Sequence, residues 1–184
     1  MTRRPATVSE LDALETRIDR WLAEWAEAQA DDAAPDDAAP DAASVSAAAP
    51  DAASVSAAAT DDRPMLIDVT RDDDIPRRWY VRLAGESRDV IAVWLTLRQR
   101  TLAYETYVLP TPPHRPDQVA DFVLRRNYSL VGAQYGIGAE DAVFLTGELP
   151  THCMDEDELD RIVGSLWAYV ERDFTTLLRL GFQK

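Results

Sequence analysis

The ten residues Pro40–Ala49 recur without a mismatch at Pro50–Ala59, and this duplication constrains the chain more than any other feature. Just before it, Asp-Asp-Ala-Ala-Pro occurs twice in tandem, at 31–35 and 36–40. Residues 31–62 contain only Ala, Asp, Ser, Pro, Val and Thr, so valine is the largest apolar side chain on offer. A solenoid unit is about 20 residues or longer and carries large apolar groups to stack on its neighbours, which excludes a repeat fold here. Nothing in the segment offsets the ~1–2 kcal/mol per residue that ordering a backbone costs, so its composition predicts a disordered linker. Pro35, Pro40 and Pro50 interrupt the helix that alanine would otherwise favour. The expected organisation is an N-terminal segment (1–30), a linker (31–62) and one α+β domain (63–184) of ordinary size. The linker would have an r.m.s. reach of roughly 30 Å.

Charge follows the same division. The chain carries 19 Lys+Arg against 33 Asp+Glu, a net charge of −14, of which −2, −8 and −4 fall on the three segments in turn. An acidic chain lacks the basic face that displaces counterions from phosphates, so nucleic acid is not an expected partner. One cysteine excludes a disulfide framework and a Cys-rich zinc site, and makes a reduced, cytoplasmic setting the default. No apolar run approaches ~18 residues, so no membrane partner is expected. The basic start Met1–Pro5 is followed by no apolar stretch and does not read as a secretion signal.

The N-terminal segment reads as one amphipathic helix from Val8 to Ala28. Leu11, Leu14, Ile18, Trp21, Leu22 and Trp25 recur every three or four residues, and Thr7 with Glu10 fits a capping box. The stripe either folds back on its own domain or docks on another chain.

In the domain, Trp79–Leu83, Val90–Leu97 and Thr101–Leu109 read as strands, the second apolar on both faces. Pro110-Thr111-Pro112-Pro113 ends the third, and a helix starts near Pro116. Asn127 is the expected left-handed terminus of that helix. Short strands follow near Ala133–Ile137 and Ala142–Leu149, then a long helix capped by Asp155 and ended by Gly181. The order helix–three strands–helix–two strands–helix predicts an α+β fold with a mainly antiparallel sheet.

No catalytic constellation emerges. Gly132, Gly136 and Gly138 meet neither the P-loop nor the dinucleotide pattern and read as turn and bulge glycines. His152-Cys153 beside Asp155–Glu158 lacks zinc or calcium spacing and reads as a carboxylate-decorated helix start. His114 and His152 are the only imidazoles, with no nucleophile elbow beside them. The Arg77-Arg78 and Arg125-Arg126 pairs read as solvated charge. An enzyme is therefore not expected, nor a cofactor or metal. One face of Val90–Leu97 must meet the helices. The other, with Trp94 and Tyr80 and with Tyr104 or Tyr107, reads as core or as an interaction face.

Several separated motifs carry a family resemblance. They are Trp79–Arg82, Val93–Leu102, Tyr104-Glu105, Leu124–Asn127, Glu140–Gly147 and Asp157–Gly164, in that order. The chain resembles the actinobacterial branch of the YbjN family, described as type III secretion chaperone-like or as sensory transduction regulators, over about Trp79–Phe182. The resemblance implies a type III secretion chaperone-like order of elements and an ability to form a homodimer, with no catalytic motif and no cofactor. It departs from the family in the long Ala/Asp linker, where members have a short gap. The resulting expectation is a non-enzymatic protein-binding domain that acts as a chaperone-like, adaptor or regulatory protein. A partner segment would be buried against Trp94, Tyr80, Tyr104 and Tyr107 and against the stripe Leu14, Ile18, Trp21 and Trp25. The alternative is a signal- or stress-responsive regulator that binds a small ligand.

Overall fold

A computed structural model describes residues 6–32, 63–138 and 140–183. Residues 33–62 of the expected linker lie outside the described residues, while its first two, Asp31 and Asp32, belong to the first helix. The elements run α1 (Val8–Asp32), β1 (Leu66–Arg71), β2 (Arg78–Ala84), β3 (Val90–Leu97), β4 (Thr101–Leu109), α2 (Pro116–Asn127), β5 (Gln134–Ile137), β6 (Val143–Pro150) and α3 (Glu156–Phe182). The class is α+β, and the strands form one antiparallel sheet of order β1-β2-β3-β4-β6-β5. The expected order of elements holds, with one strand added in front of the expected three. That strand, β1, sits at the sheet edge. Its register shifts between Leu66 and Asp68, which breaks the period-2 alternation that would have marked it.

Alternation along the central strands divides the sheet into two unlike faces. Trp79, Val81 and Leu83 of β2, Ile91, Val93, Leu95 and Leu97 of β3, and Leu102, Tyr104 and Val108 of β4 are buried on one of them. Across them lies the stripe Leu159, Ile162, Val163, Leu166, Val170 and Leu177 of α3, with Val119 and Val123 of α2. A register shift between Tyr107 and Leu109 turns Leu109 inward beside Val108.

Helix α1 completes the same core, so the stripe folds back on its own chain. Ile18, Trp21 and Trp25 are buried, and Leu14 packs half-buried at the edge of the cluster. Their ridge is pinned by polar contacts at its flanks. The Trp21 indole donates to Asp160 at 2.7 Å, and the Trp79 indole donates to Asp19 at 2.8 Å. Arg71 pairs with Glu15 at 2.6 Å and Arg77 pairs with Asp12 at 2.7 Å and Glu15 at 2.9 Å. The acidic stripe Asp12, Glu15 and Asp19 thus meets the basic corner of β1 and β2. The capping box is formed: the Thr7 N–H donates to Glu10 at 2.7 Å and the Glu10 N–H to the Thr7 hydroxyl at 3.3 Å.

Two helix-end expectations are corrected. Asn127 is not left-handed; its amide instead accepts the Tyr135 N–H at 2.7 Å and donates to the Tyr135 carbonyl at 3.1 Å, holding β5 against α2. Gly181 does not end α3 but lies inside it, buried, where a Cβ would come within 2.8 Å of Pro112. Its carbonyl accepts the His114 N–H at 3.0 Å, so the glycine lets the proline-rich loop close onto the helix.

Candidate protein-binding face

The second face of the sheet carries no helix among the described residues. Cross-strand register sets its rows. Thr70, Tyr80, Trp94, Glu105, Thr146 and Gln134 stand abreast across all six strands, and Tyr107 stands opposite Phe144 in the next row. The four aromatic side chains touch in sequence. Tyr80 meets Trp94 edge to face, with centroids 6.1 Å apart and planes at 87°, Trp94 meets Phe144 at 6.2 Å, and Phe144 meets Tyr107 at 5.5 Å and 81°. All four are partly exposed, whereas the residues that alternate with them are buried. A contiguous aromatic lane therefore lies open across the middle of the sheet.

Both ends of the lane are held in place. The Tyr80 hydroxyl donates to Asp72, whose carboxylate also accepts the backbone N–H groups of Ile75 and Asp74, each at 2.9 Å. These bonds, with that of Tyr80 foremost, hold the Asp72 carboxyl below its usual range, and the same contact raises the Tyr80 phenol. At the other end the Arg88 guanidinium lies 5.3 Å from the Tyr107 ring centre and donates to the Tyr107 carbonyl at 2.7 Å. Burial lowers the pKa of Arg88.

Beside the lane, Arg78 pairs with Glu105 at 3.0 Å and Arg98 with Glu148 at 3.0 Å. With Thr96, Ala103, Gln134 and Thr146 these pairs line an open concavity of about 650 Å³. The Arg77-Arg78 and Arg125-Arg126 doublets are thus paired charge, since Arg125 meets Asp121 at 2.8 Å and Arg126 meets Asp173 at 2.9 Å. No group of three or more His, Cys, Asp or Glu side chains among the described residues is arranged to hold a metal.

Three of the expected contact residues, Trp94, Tyr80 and Tyr107, share the open face. Tyr104 does not. It alternates with Glu105 and Tyr107, so it is buried on the helix side, its hydroxyl donating to the Gly132 carbonyl. Gly132 is left-handed, with φ 75°, as a turn glycine should be. Leu14, Ile18, Trp21 and Trp25 are packed into the chain's own core, which covers the surface they were expected to offer a partner. Phe144, central to the lane, was not singled out in the sequence, although its place between Val143 and Leu145 would have revealed it.

Sequence reasoning also missed a fully buried carboxylate. Asp173 sits on the apolar stripe of α3 and accepts the Tyr135 hydroxyl at 3.0 Å, with Arg126 at 2.9 Å and Arg172 at 3.0 Å from it. Burial, and then the adjacent carboxylate, push the Tyr135 phenol far above its ordinary range. The cluster ties α2, β5 and α3 together and lies on the helix side, away from the open face.

The fold and this face define an α+β protein whose antiparallel sheet is sheathed by helices on one side and, among the described residues, carries an aromatic centre with no helix over it on the other. Residues 54–179 match the YbjN family, described as "Putative bacterial sensory transduction regulator". The chain belongs to that family. It is similar to an uncharacterized protein of Mycobacterium tuberculosis, 32% identical over 108 residues, which is 59% of each chain. A second uncharacterized protein, from Mycobacterium leprae, is 33% identical over 106 residues, or 58% of each chain. The match thus spans less than two thirds of these relatives' own length. No helix among the described residues is long and apolar enough to cross a membrane.

Proposed function

We propose that this protein acts without catalysis, as a chaperone-like or regulatory adaptor that buries a partner's segment on the open sheet face. The observation that carries the reading is the uncovered lane Tyr80–Trp94–Phe144–Tyr107. Large aromatic groups with little rotamer freedom are the usual anchors of protein interfaces, and here they lie side by side with polar groups at the rim. The reading does not draw on Tyr104 or on the α1 stripe. A homodimer is the case in which a second copy supplies the segment. A reducing, cytoplasmic setting accords with the single, exposed Cys153. The test is partner capture from the source cell with Trp94→Ala beside Trp167→Ala. Loss with the first alone supports the face, and equal loss removes the case for it.

One observation favours a second reading, a regulator that binds a small ligand. The concavity of about 650 Å³ beside the lane has the volume of a ligand site and is lined by charged and hydroxyl side chains. A metabolite panel that raises the melting temperature of the wild type, but not that of Arg98→Ala, would support it.

A further inference from the structure

We propose that the segment bound on the open face is an extended, proline-rich one that places a Lys or Arg beside Glu105. The proposal rests on the protein-binding reading above and specifies the chemistry of its partner. Trp94 pairs through its backbone with Tyr80 on β2 and with Glu105 on β4, so the main-chain groups at the centre of the face belong to ladders. A partner lying there gains no strand-to-strand hydrogen bonds. It must be held by its side chains and must keep its own backbone solvated, as a polyproline II segment does. The edge-to-face Tyr80–Trp94 and Tyr107–Phe144 pairs present ring faces and edges against which pyrrolidine rings can pack.

A hydrogen-bond donor is also in place. The Trp21, Trp79 and Trp167 indoles donate to Asp160, Asp19 and the Ala84 carbonyl, and the Trp25 indole N–H is buried. Trp94 alone has an indole N–H that is neither bonded to a described residue nor buried. Such a donor suits the carbonyl of a segment whose prolines lack N–H groups to compete for it.

Charge decides the flanking residue. The lane is bordered by the carboxylates of Asp68, Asp72, Glu105 and Glu148 and by Arg78, Arg82 and Arg98, each arginine already paired with a carboxylate. Arg78 occupies Oε1 of Glu105, and Oε2 of that carboxylate bonds no described residue. Glu105 stands directly opposite Trp94, so a cation on the segment would reach it while a proline stacks on the indole. Carboxylates outnumber arginines four to three along the lane, which favours a cationic segment over a single-stranded nucleic acid, the other polymer that stacks on open aromatic sheets.

The full chain, labelled with nitrogen-15, would be titrated with the decapeptide Lys-Pro-Pro-Leu-Pro-Pro-Leu-Pro-Pro-Lys while the Trp94 indole cross-peak, assigned with Trp94→Phe, is followed. The expected result is a saturable shift of that peak. A peptide with Ser at each proline should bind at least about tenfold more weakly. Glu105→Gln should weaken the lysine peptide about threefold and leave a peptide with Gln at both lysines unchanged. Absence of a shift, equal binding of the Ser peptide, or a larger shift with a uridine decanucleotide would each overturn the proposal. A partner captured from the source cell that moves the Trp94 peak while the proline peptide does not would leave the protein-binding reading standing and sink this one. If neither moves it, both fall.

Discussion

The side chain of Gln29 accepts the Leu66 N–H at 2.7 Å and donates to the Pro64 carbonyl at 3.1 Å, joining the end of α1 to the start of β1 across 37 and 35 residues. The last turns of α1 and the first residues of β1 are therefore held side by side. Replacing residues 33–62 with a short Gly-Ser bridge should leave the melting temperature within about two degrees, because closure entropy changes only slowly with loop length. A loss of many degrees would show that the excised residues pack on the fold.

Acid should loosen α1. Hydrogen bonding to Arg71, and then to Arg77, holds the Glu15 carboxyl below its ordinary 4.5. A depressed carboxyl contributes stability that is present above its unfolded value and is lost as pH falls through its folded one. Thermal stability should drop below about pH 4.5, and Glu15→Gln should flatten that drop. An unchanged pH profile in the variant would mean that the ion pairs contribute nothing at this exposed corner.

Asp173→Ala should cost about 1–3 kcal/mol in urea unfolding, because it leaves the buried Tyr135 hydroxyl without its acceptor while Arg126 and Arg172, each more than a third exposed, regain water. Tyr135→Phe should cost about 1–2 kcal/mol. A loss well under 1 kcal/mol for Asp173→Ala would show that water reaches the cluster and replaces the carboxylate.

The two sheet faces should differ in the same assay. Trp79→Ala, on the helix side, should cost about 3–5 kcal/mol, whereas Trp94→Ala, whose ring is only partly covered, should cost less, about 1–3 kcal/mol. Equal costs would mean that the lane is covered in solution.

Much of this architecture was legible because its strongest elements are periodic. α3 repeats apolar residues through Leu159, Ile162, Val163, Leu166, Val170 and Leu177, and β3 was legible as a central strand because it is apolar on both faces, although that same pattern left open what lies on its second face. β1 escaped notice because an edge strand needs only one buried side and its bulge disturbs even that signal. Asp173 escaped because an acid is read as surface by default, although its place on the stripe between Val170 and Leu177 argued otherwise. Alternation alone puts Tyr104 and Tyr107 on opposite faces of β4, but which of those faces the helices cover is a tertiary fact that the strand does not encode. Whether α1 docked at home depended on long-range pairs, such as Trp79 with Asp19, that no local pattern encodes.

The most direct measurement is capture of partners from the source cell by the full chain, by the double variant Trp94→Ala with Tyr107→Ala, and by Leu124→Ala, which alters an exposed residue of α2 on the helix side. At matched folded fractions the account predicts that the double variant loses the captured protein while Leu124→Ala retains it. Retention by the double variant, or loss with Leu124→Ala alone, would contradict the claim that the open aromatic face is where this protein binds.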